Sequence, residues 1–250
     1  MTLDTHNMTP DELVDRWNSA EDPSQILKEI FSHFGARAAI ASSGQMTDVA
    51  IVDLAHKSGE KIRVYTIDPL RLHESTYDLN LRLEEHYDIE LEVFQPDEEA
   101  LEKMVARHGT YLFFDSREKQ ELCCTLRKVE PNERALETLD CWITGLRRDQ
   151  STARANMPLC EMIQVDGRNV VKVSPLAAWS EELVWDYVKN NGVPYDSLFE
   201  PNPDGSRYRS LGCVICTTPE LPHEPVRAGR WRWFNANENE NKKECGLHLG

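Results

Sequence analysis

Ala38-Ala39-Ile40-Ala41-Ser42-Ser43-Gly44, followed by the apolar stretch Val49 to Ala55, reads as a short buried strand, a turn and a helix. Two more strand–helix pairs follow. Ile62-Arg63-Val64-Tyr65-Thr66-Ile67 is rich in strand formers and precedes an amphipathic stretch from Leu72 to His86. Ile89-Glu90-Leu91-Glu92-Val93-Phe94 alternates as a half-buried strand does, and Asp97 to Arg107 has helical spacing. Trp142-Ile143-Thr144 supplies another short strand. This alternation predicts an α/β fold, a mostly parallel sheet with helices on both faces. Ligands of such sheets bind beyond the carboxyl ends of the strands. Those ends carry Ser42-Ser43-Gly44, Ile67-Asp68 and Thr144-Gly145-Leu146-Arg147-Arg148.

Outward from this core, Thr9-Pro10 and Asp22-Pro23 each pair an N-cap with a first-turn proline, so two helices open the chain. Asp166-Gly167 marks a hairpin turn, and Ser180 to Asn190 reads as a capped helix. Proline-rich segments follow, with Cys213 and Cys216 between them. From Asn235 to Glu244 the chain is Asn, Glu, Lys and one Ala, a composition that cannot pack and predicts mobility. The expected organisation is a single α/β domain over residues 1–234 and a mobile C-terminal tail over 235–250.

A net charge of −15 argues against a nucleic-acid partner, which would require a basic face. The charge is unevenly spread. Residues 1–140 carry 15 Lys and Arg against 29 Asp and Glu, whereas residues 141–250 carry 13 against 14. The second part includes Arg147, Arg148, Arg154, Arg207, Arg209, Arg227, Arg230 and Arg232. Arginine suits a bidentate grip on phosphate or sulfate oxygens. A small anionic substrate is therefore expected, with a solvated basic face as the plain alternative. No apolar run has membrane-spanning length and the N-terminus lacks a signal-peptide pattern, so the expectation is a cytoplasmic protein with no membrane partner. In a reducing compartment its seven cysteines are thiols or ligands rather than disulfides.

Four of them form a vicinal pair, Cys123-Cys124, and a CxxC, Cys213-Val214-Ile215-Cys216. Four thiolates suit an iron–sulfur cluster. Zinc ligands are normally separated by two to four residues, so a neighbouring pair strains a tetrahedral mononuclear site. A 4Fe-4S cube spreads its irons, so adjacent cysteines can reach different ones. The spacing favours a cluster, with zinc or unligated thiols as alternatives. Cys141 and Cys160 lie beside apolar residues and read as buried structural cysteines. Lys128, four residues after Cys124, would share a helical face with it, or else is an ordinary exposed lysine. Cys245 follows Lys242-Lys243, and neighbouring cations raise the thiolate fraction. It is either a nucleophile or an incidental exposed thiol. Ser42-Ser43-Gly44 offers hydroxyls and N–H groups at a helix N-terminus, either an anion site or an ordinary cap.

Taken together, four segments resemble the assimilatory adenosine 5′-phosphosulfate (APS) reductases, within the family that also contains the 3′-phosphoadenosine 5′-phosphosulfate (PAPS) reductases. They are 123–131 (CCTLRKVEP), 142–150 (WITGLRRDQ), 211–217 (LGCVICT) and the tail 244–250 (ECGLHLG). Lys172-Val173-Ser174-Pro175-Leu176 with Trp179 is also similar, and the likeness runs from about residue 25 to the C-terminus. The resemblance implies a fold related to the adenine-nucleotide α-hydrolases, with a modified pyrophosphate-binding loop at 42–48. It implies that Cys123, Cys124, Cys213 and Cys216 hold a 4Fe-4S cluster and that Cys245 is the nucleophile. Ser42, Ser43, Gly145, Lys128, Arg227, Arg230 and His248 match substrate-binding positions. The implied reaction is reduction of APS to sulfite and AMP through a thiosulfonate on Cys245, with thioredoxin or a similar dithiol as donor. The same reaction on PAPS is the alternative, and a homo-oligomer is left open. Rivals from other classes fit less well. A nucleotide thiolase acting on tRNA would want a basic face, and a zinc-binding module would have no use for a nucleophilic tail. The chain departs from the family at Gly44-Gln45-Met46-Thr47-Asp48, where only Asp48 is retained. Asp68-Pro69-Leu70-Arg71 likewise replaces a Thr-Gly-Arg turn and lacks its permissive glycine.

Overall fold

The computed structural model describes residues 8–225 and 227–235. The elements follow in chain order as α1 (Pro10–Asn18), α2 (Pro23–Phe34), β1 (Ala38–Ala41), α3 (Met46–Lys57), β2 (Val64–Ile67), α4 (Glu74–Tyr87), β3 (Leu91–Phe94) and α5 (Glu98–His108). Then come α6 (Arg117–Cys124), α7 (Glu130–Leu136), β4 (Cys141–Ile143), β5 (Cys160–Val165), β6 (Arg168–Val173), α8 (Glu181–Asn190) and α9 (Arg232–Asn235). The strands form one six-stranded sheet in the order β3-β2-β1-β4-β6-β5. β1 is parallel to β2 and β4, β4 is parallel to β6, and β5 is antiparallel to β6. The expected mostly parallel α/β sheet is therefore present. The β5–β6 hairpin turns at Asp166-Gly167, with φ of 47° and 74°, the double positive φ that a two-residue hairpin loop demands.

The chain order reverses at β1. Its continuation through α3 leads to β2 on one side, while β4 pairs on the other. The loops after β1 and β4 thus leave the sheet at a topological switch point, where open α/β sheets bind ligands.

The chain divides into two compact units, each built from three segments. The first takes its residues from Met1–Thr66, Leu79–Glu92 and Leu136–Tyr195. Both expected opening helices are there, α1 capped by Thr9 in a capping box with Glu12 and α2 capped by Asp22. Ala38, Ala39 and Ile40 of β1 are fully buried, and α3 is buried from Met46 through Ala55. A helix buried on every side belongs in the core, and its polar residues there, Thr47, Asp48 and Asp53, are hydrogen-bonded. Asp53 on α3 accepts hydrogen bonds from Tyr87 at 3.1 Å and from Tyr187, tying α4 and α8 to it. Cys141 and Cys160 are buried as expected, and burial pushes the Cys160 thiol up to about 12.

The second unit takes its residues from Ile67–Asp78, Val93–Ala135 and Asp196–Gly250. Its apolar core consists of Met104, Leu112, Phe113 and Cys123, with Leu122, Ile215, Cys216 and Trp233 packed against it. Between α6 and α7 the helix opens into a π-turn over Thr125–Val129. Pro131 gives the reason. It has no N–H for the Arg127 carbonyl four residues back, and its ring crowds that carbonyl, so the backbone widens locally. Among the described residues after 196 this unit has little regular structure, and the isolated bridges Arg207↔Glu220 and Thr217↔Arg230 organise its loops. No helix among the described residues is long and apolar enough to cross a membrane.

The turn Asp68-Pro69-Leu70-Arg71 keeps a glycine-like shape without a glycine. Leu70 has φ of 57° and is 47% exposed. Asp68 holds the turn by accepting from Leu70 N at 2.7 Å and Tyr77 Oη at 2.9 Å, and Arg127 Nη1 donates to the Pro69 carbonyl at 2.6 Å. Left-handed backbone costs a residue with a side chain about 1–2 kcal/mol, whereas glycine gives back about 0.5–1 kcal/mol in unfolded-chain entropy. Leu70→Gly is therefore expected to raise the melting temperature by about 2 °C, read by calorimetry. A fall would mean that the leucine side chain makes contacts worth more than the strain.

Candidate functional site

Two groups of candidate functional residues occur, one in each unit. In the first unit, the sequence reading started the helix at Val49. The helix begins at Met46, and Asp48 is already the third residue of its first turn. Asp48 Oδ2 accepts from Ser43 N at 2.8 Å, Ser43 Oγ at 2.9 Å and Gln45 N at 3.4 Å. Burial pushes the Asp48 carboxyl up to about 6, opposed by these donors and by the Arg147 charge. Ser42 is 2% exposed, and its hydroxyl is buried without a hydrogen-bond partner. The two adjacent serines therefore differ. Ser43 is committed to Asp48, and Ser42 retains an unused hydroxyl.

Across the switch point, the loop after β4 presents Thr144, Gly145 and Arg147. Thr144 Oγ1 and Ser174 Oγ lie 2.8 Å apart. Arg147 is buried, donates to Thr47 Oγ1 and pairs with Asp149 at 2.9 Å. Gly145 approaches Asp48 so closely that an added Cβ would lie 1.9 Å from Asp48 Oδ1.

The second unit contains the four expected ligands Cys123, Cys124, Cys213 and Cys216. Cys123 and Cys213 are buried, and the other two are half-buried. Cys216 N donates to the Cys213 carbonyl at 2.9 Å, closing the CxxC turn, and Val214 N donates to the Arg71 carbonyl at 2.9 Å. Gln120 Nε2 reaches Cys124 Sγ at 3.3 Å. Burial raises the Cys123 thiol, while Arg71 and Arg127 draw it back down. Burial also pushes the Cys216 thiol up to about 11, with Cys213 and Cys123 adding to the rise and Lys128 opposing it.

Arg71 and Arg127 were not singled out in the sequence. Arg127 follows Cys123 by four residues, the same interval that drew attention to Lys128 and Cys124, so the signal was available. The π-turn, closing i to i+5, removes the simple face-sharing argument for Lys128, whose charge acts on Cys216. Arg71 Nη2 donates to the Thr110 carbonyl at 2.7 Å and its guanidinium lies 5.0 Å from the Phe113 ring centroid. Arg71 Nη1 and Arg127 Nε are buried with no hydrogen-bond partner.

Arg230 is 8% exposed and braces the cysteine loop. Its Nη2 donates to the Leu211 carbonyl at 2.6 Å and its Nε to Ser210 Oγ at 3.1 Å. Gly212 makes room for it, since a Cβ there would stand 2.2 Å from Arg230 Nη1. Arg227 occupies the preceding turn with φ of 68°, its carbonyl accepting from Arg230 N at 3.1 Å. Cys245 and His248, with the rest of the tail from residue 236, lie outside the described residues.

The four thiols fit a cluster in donor type and surroundings: they share one unit, and the buried Arg127 and half-buried Arg71, both acting on Cys123, each keep a covered N–H without a hydrogen-bond partner. Among the described residues no group of three or more His, Cys, Asp or Glu side chains is placed to hold a metal ion.

A mostly parallel sheet whose loops leave at a switch point of this kind defines an α/β protein with its ligand site at the strand ends. Residues 37–219 match the phosphoadenosine phosphosulfate reductase domain, and the chain belongs to that family. It is 38% identical over 236 residues to adenosine 5′-phosphosulfate reductase of Pseudomonas aeruginosa, covering 92% of this chain and 83% of that one. Its fold superposes on the phosphate complex of phosphoadenylyl-sulfate reductase from Candida auris with a TM-score of 0.68. That match has 25% identity and covers 85% of this chain and 98% of the other. A Candida glabrata FMN adenylyltransferase, 11% identical with a TM-score of 0.54, covers 93% of this chain and 81% of its own and shares the fold alone.

An alanine at Gly212 would displace the buried Arg230 guanidinium. Gly212→Ala is expected to destabilise the protein by about 2 kcal/mol, measured by urea unfolding. Wild-type stability in that variant would show that the brace is dispensable.

Proposed function

We propose that the chain reduces adenosine 5′-phosphosulfate to sulfite and AMP in sulfate assimilation, using thioredoxin or a similar dithiol protein in the cytoplasm. The observation that carries this reading is the cysteine quartet with the Arg71 and Arg127 guanidinium groups acting on Cys123, in a chain whose relatives bear the name adenosine 5′-phosphosulfate reductase. The rival substrate, the 3′-phosphorylated nucleotide, is favoured by family members that lack the quartet.

The Cys245 thiolate attacks the sulfate sulfur. The bond from that sulfur to the bridging oxygen breaks, and AMP leaves with the electron pair. A thiolate of the donor then attacks Cys245 Sγ, sulfite departs with the pair from the sulfur–sulfur bond, and a mixed disulfide remains. The donor's second thiol resolves that disulfide and returns Cys245 as thiolate. Sulfur gains two electrons and the dithiol becomes a disulfide.

AMP leaves readily only where its growing charge is met by fixed cations. Lys128, Arg227 and Arg230 are proposed for that task, Arg230 through its charge, because its hydrogen bonds brace the loop. Ser42 and Gly145 are assigned to the nucleotide end, with Ser43 shaping that loop through Asp48 rather than touching the nucleotide, and His248 contacts substrate from the tail. A 4Fe-4S cluster on Cys123, Cys124, Cys213 and Cys216 would supply a fixed charge distribution beside the anion, with the redox change confined to Cys245 and the donor. Arg71 and Arg127 lower the charge around those sulfurs.

The test measures sulfite released from each nucleotide with reduced thioredoxin. Release from APS well ahead of PAPS is expected, with none from either in Cys245→Ser. Turnover by that variant, or a preference for the 3′-phosphorylated nucleotide, would overturn the assignment.

A further inference from the structure

The loop after β1 resembles an anion site, yet its own carboxylate already occupies the N-terminus of α3. Ser43 N, Ser43 Oγ and Gln45 N all point to Asp48 Oδ2. These groups are therefore unavailable to a nucleotide while Asp48 stays in place. Asp48 is 4% exposed. Its other oxygen, Oδ1, lies against Gly145, where a Cβ would come within 1.9 Å of it and 3.1 Å of Asp48 Cγ. Real Cβ contacts are never so short, so glycine at 145 leaves the space that this carboxylate fills. Arg147, two residues further along the same loop, contributes a charge that favours the ionised carboxylate and pairs with Asp149. It also donates to Thr47 on α3. Ser42 Oγ is the loop hydroxyl that this arrangement leaves buried and unpartnered.

We propose that Asp48 is a positioning residue that locks the two strand-end loops together. One carboxylate oxygen gathers the Ser43–Gln45 turn, the other sits in the notch at Gly145, and Ser42 Oγ is left without a partner. The assignment deepens the proposed function and rests on it for the identity of the nucleotide. The notch itself does not depend on that reading. Gly145 then serves two neighbours, giving Asp48 its room as well as lying in the loop assigned to the nucleotide.

A thermal-stability cycle tests the lock without substrate. Gly145→Ala alone is expected to lower the melting temperature by about 5 °C. In an Asp48→Ala background, or Asp48→Ser if the alanine variant does not fold, the same change should lower it by less than about 2 °C. In Asp48→Asn, which fills the same space, the full loss should return. Equal losses in all backgrounds would overturn the proposal, because Gly145 would then be needed for something other than Asp48.

Steady-state kinetics with APS separates positioning from bulk stability. Asp48→Ala should raise KM roughly tenfold with kcat changed less than about twofold, and Asp48→Asn should recover most of the loss in KM. A parallel fall in kcat with unchanged KM would contradict positioning. Absence of turnover in the wild-type protein would overturn the substrate reading, while the stability cycle would still decide the lock.

Discussion

Burial in an apolar core raises the pKa of the Cys123 and Cys216 thiols, and Arg71, Arg127 and Lys128 oppose that rise. Much of the second unit can be understood from this opposition. A thiolate in such surroundings requires compensating charge, and a guanidinium in the same place requires an anion or acceptor. Arg127 meets part of that need at the Pro69 carbonyl and Arg71 at the Thr110 carbonyl, with N–H groups left over on each. The proposed cluster would meet both demands, since it would turn the thiols into metal-bound thiolates and offer sulfurs that accept hydrogen bonds. The local backbone serves the same end. Pro131 opens the π-turn that carries Arg127 and Lys128, and Arg230 behind Gly212 fixes the CxxC turn.

The first unit applies the inverse arrangement. There the N-terminus of a buried helix and two strand-end loops create a region of unsatisfied N–H donors, and the Asp48 carboxylate fills it from within. An internal anion holds the loop in one shape, and on the proposed reading this limits the reorganisation needed on nucleotide binding. The departure from the family pattern at 44–48 is easier to understand in this light. Gln45 supplies a cap and a backbone donor, and the retained Asp48 gathers the turn.

The order of strands and helices was legible because the β–α pairs have a short apolar run followed by a stretch of helical spacing, with Asp97 and Ser180 capping their helices as the sequence suggests. The buried character of Cys141 and Cys160 was equally plain from their neighbours. Other features were not legible, for identifiable reasons. The start of α3 was set three residues late because Gln45 is an unusual cap, recognised only once its pairing with Asp48 is seen. The π-turn follows from Pro131, a residue quoted in the cysteine motif but not used as a helix signal. Arg230 looked like an anion contact, and only tertiary packing reveals its hydrogen bonds to the cysteine loop. Leu70 shows the converse: sequence flagged a missing glycine, and the backbone adopts the left-handed turn nonetheless.

Metal content bears most directly on the central claim, that Cys123, Cys124, Cys213 and Cys216 act together as the ligands of one cluster. Protein purified without oxygen should contain about four irons and four acid-labile sulfides per chain and absorb near roughly 400 nm. Serine at any of the four positions should abolish or sharply reduce both. Colourless protein with stoichiometric zinc, or iron content indifferent to those substitutions, would contradict the account.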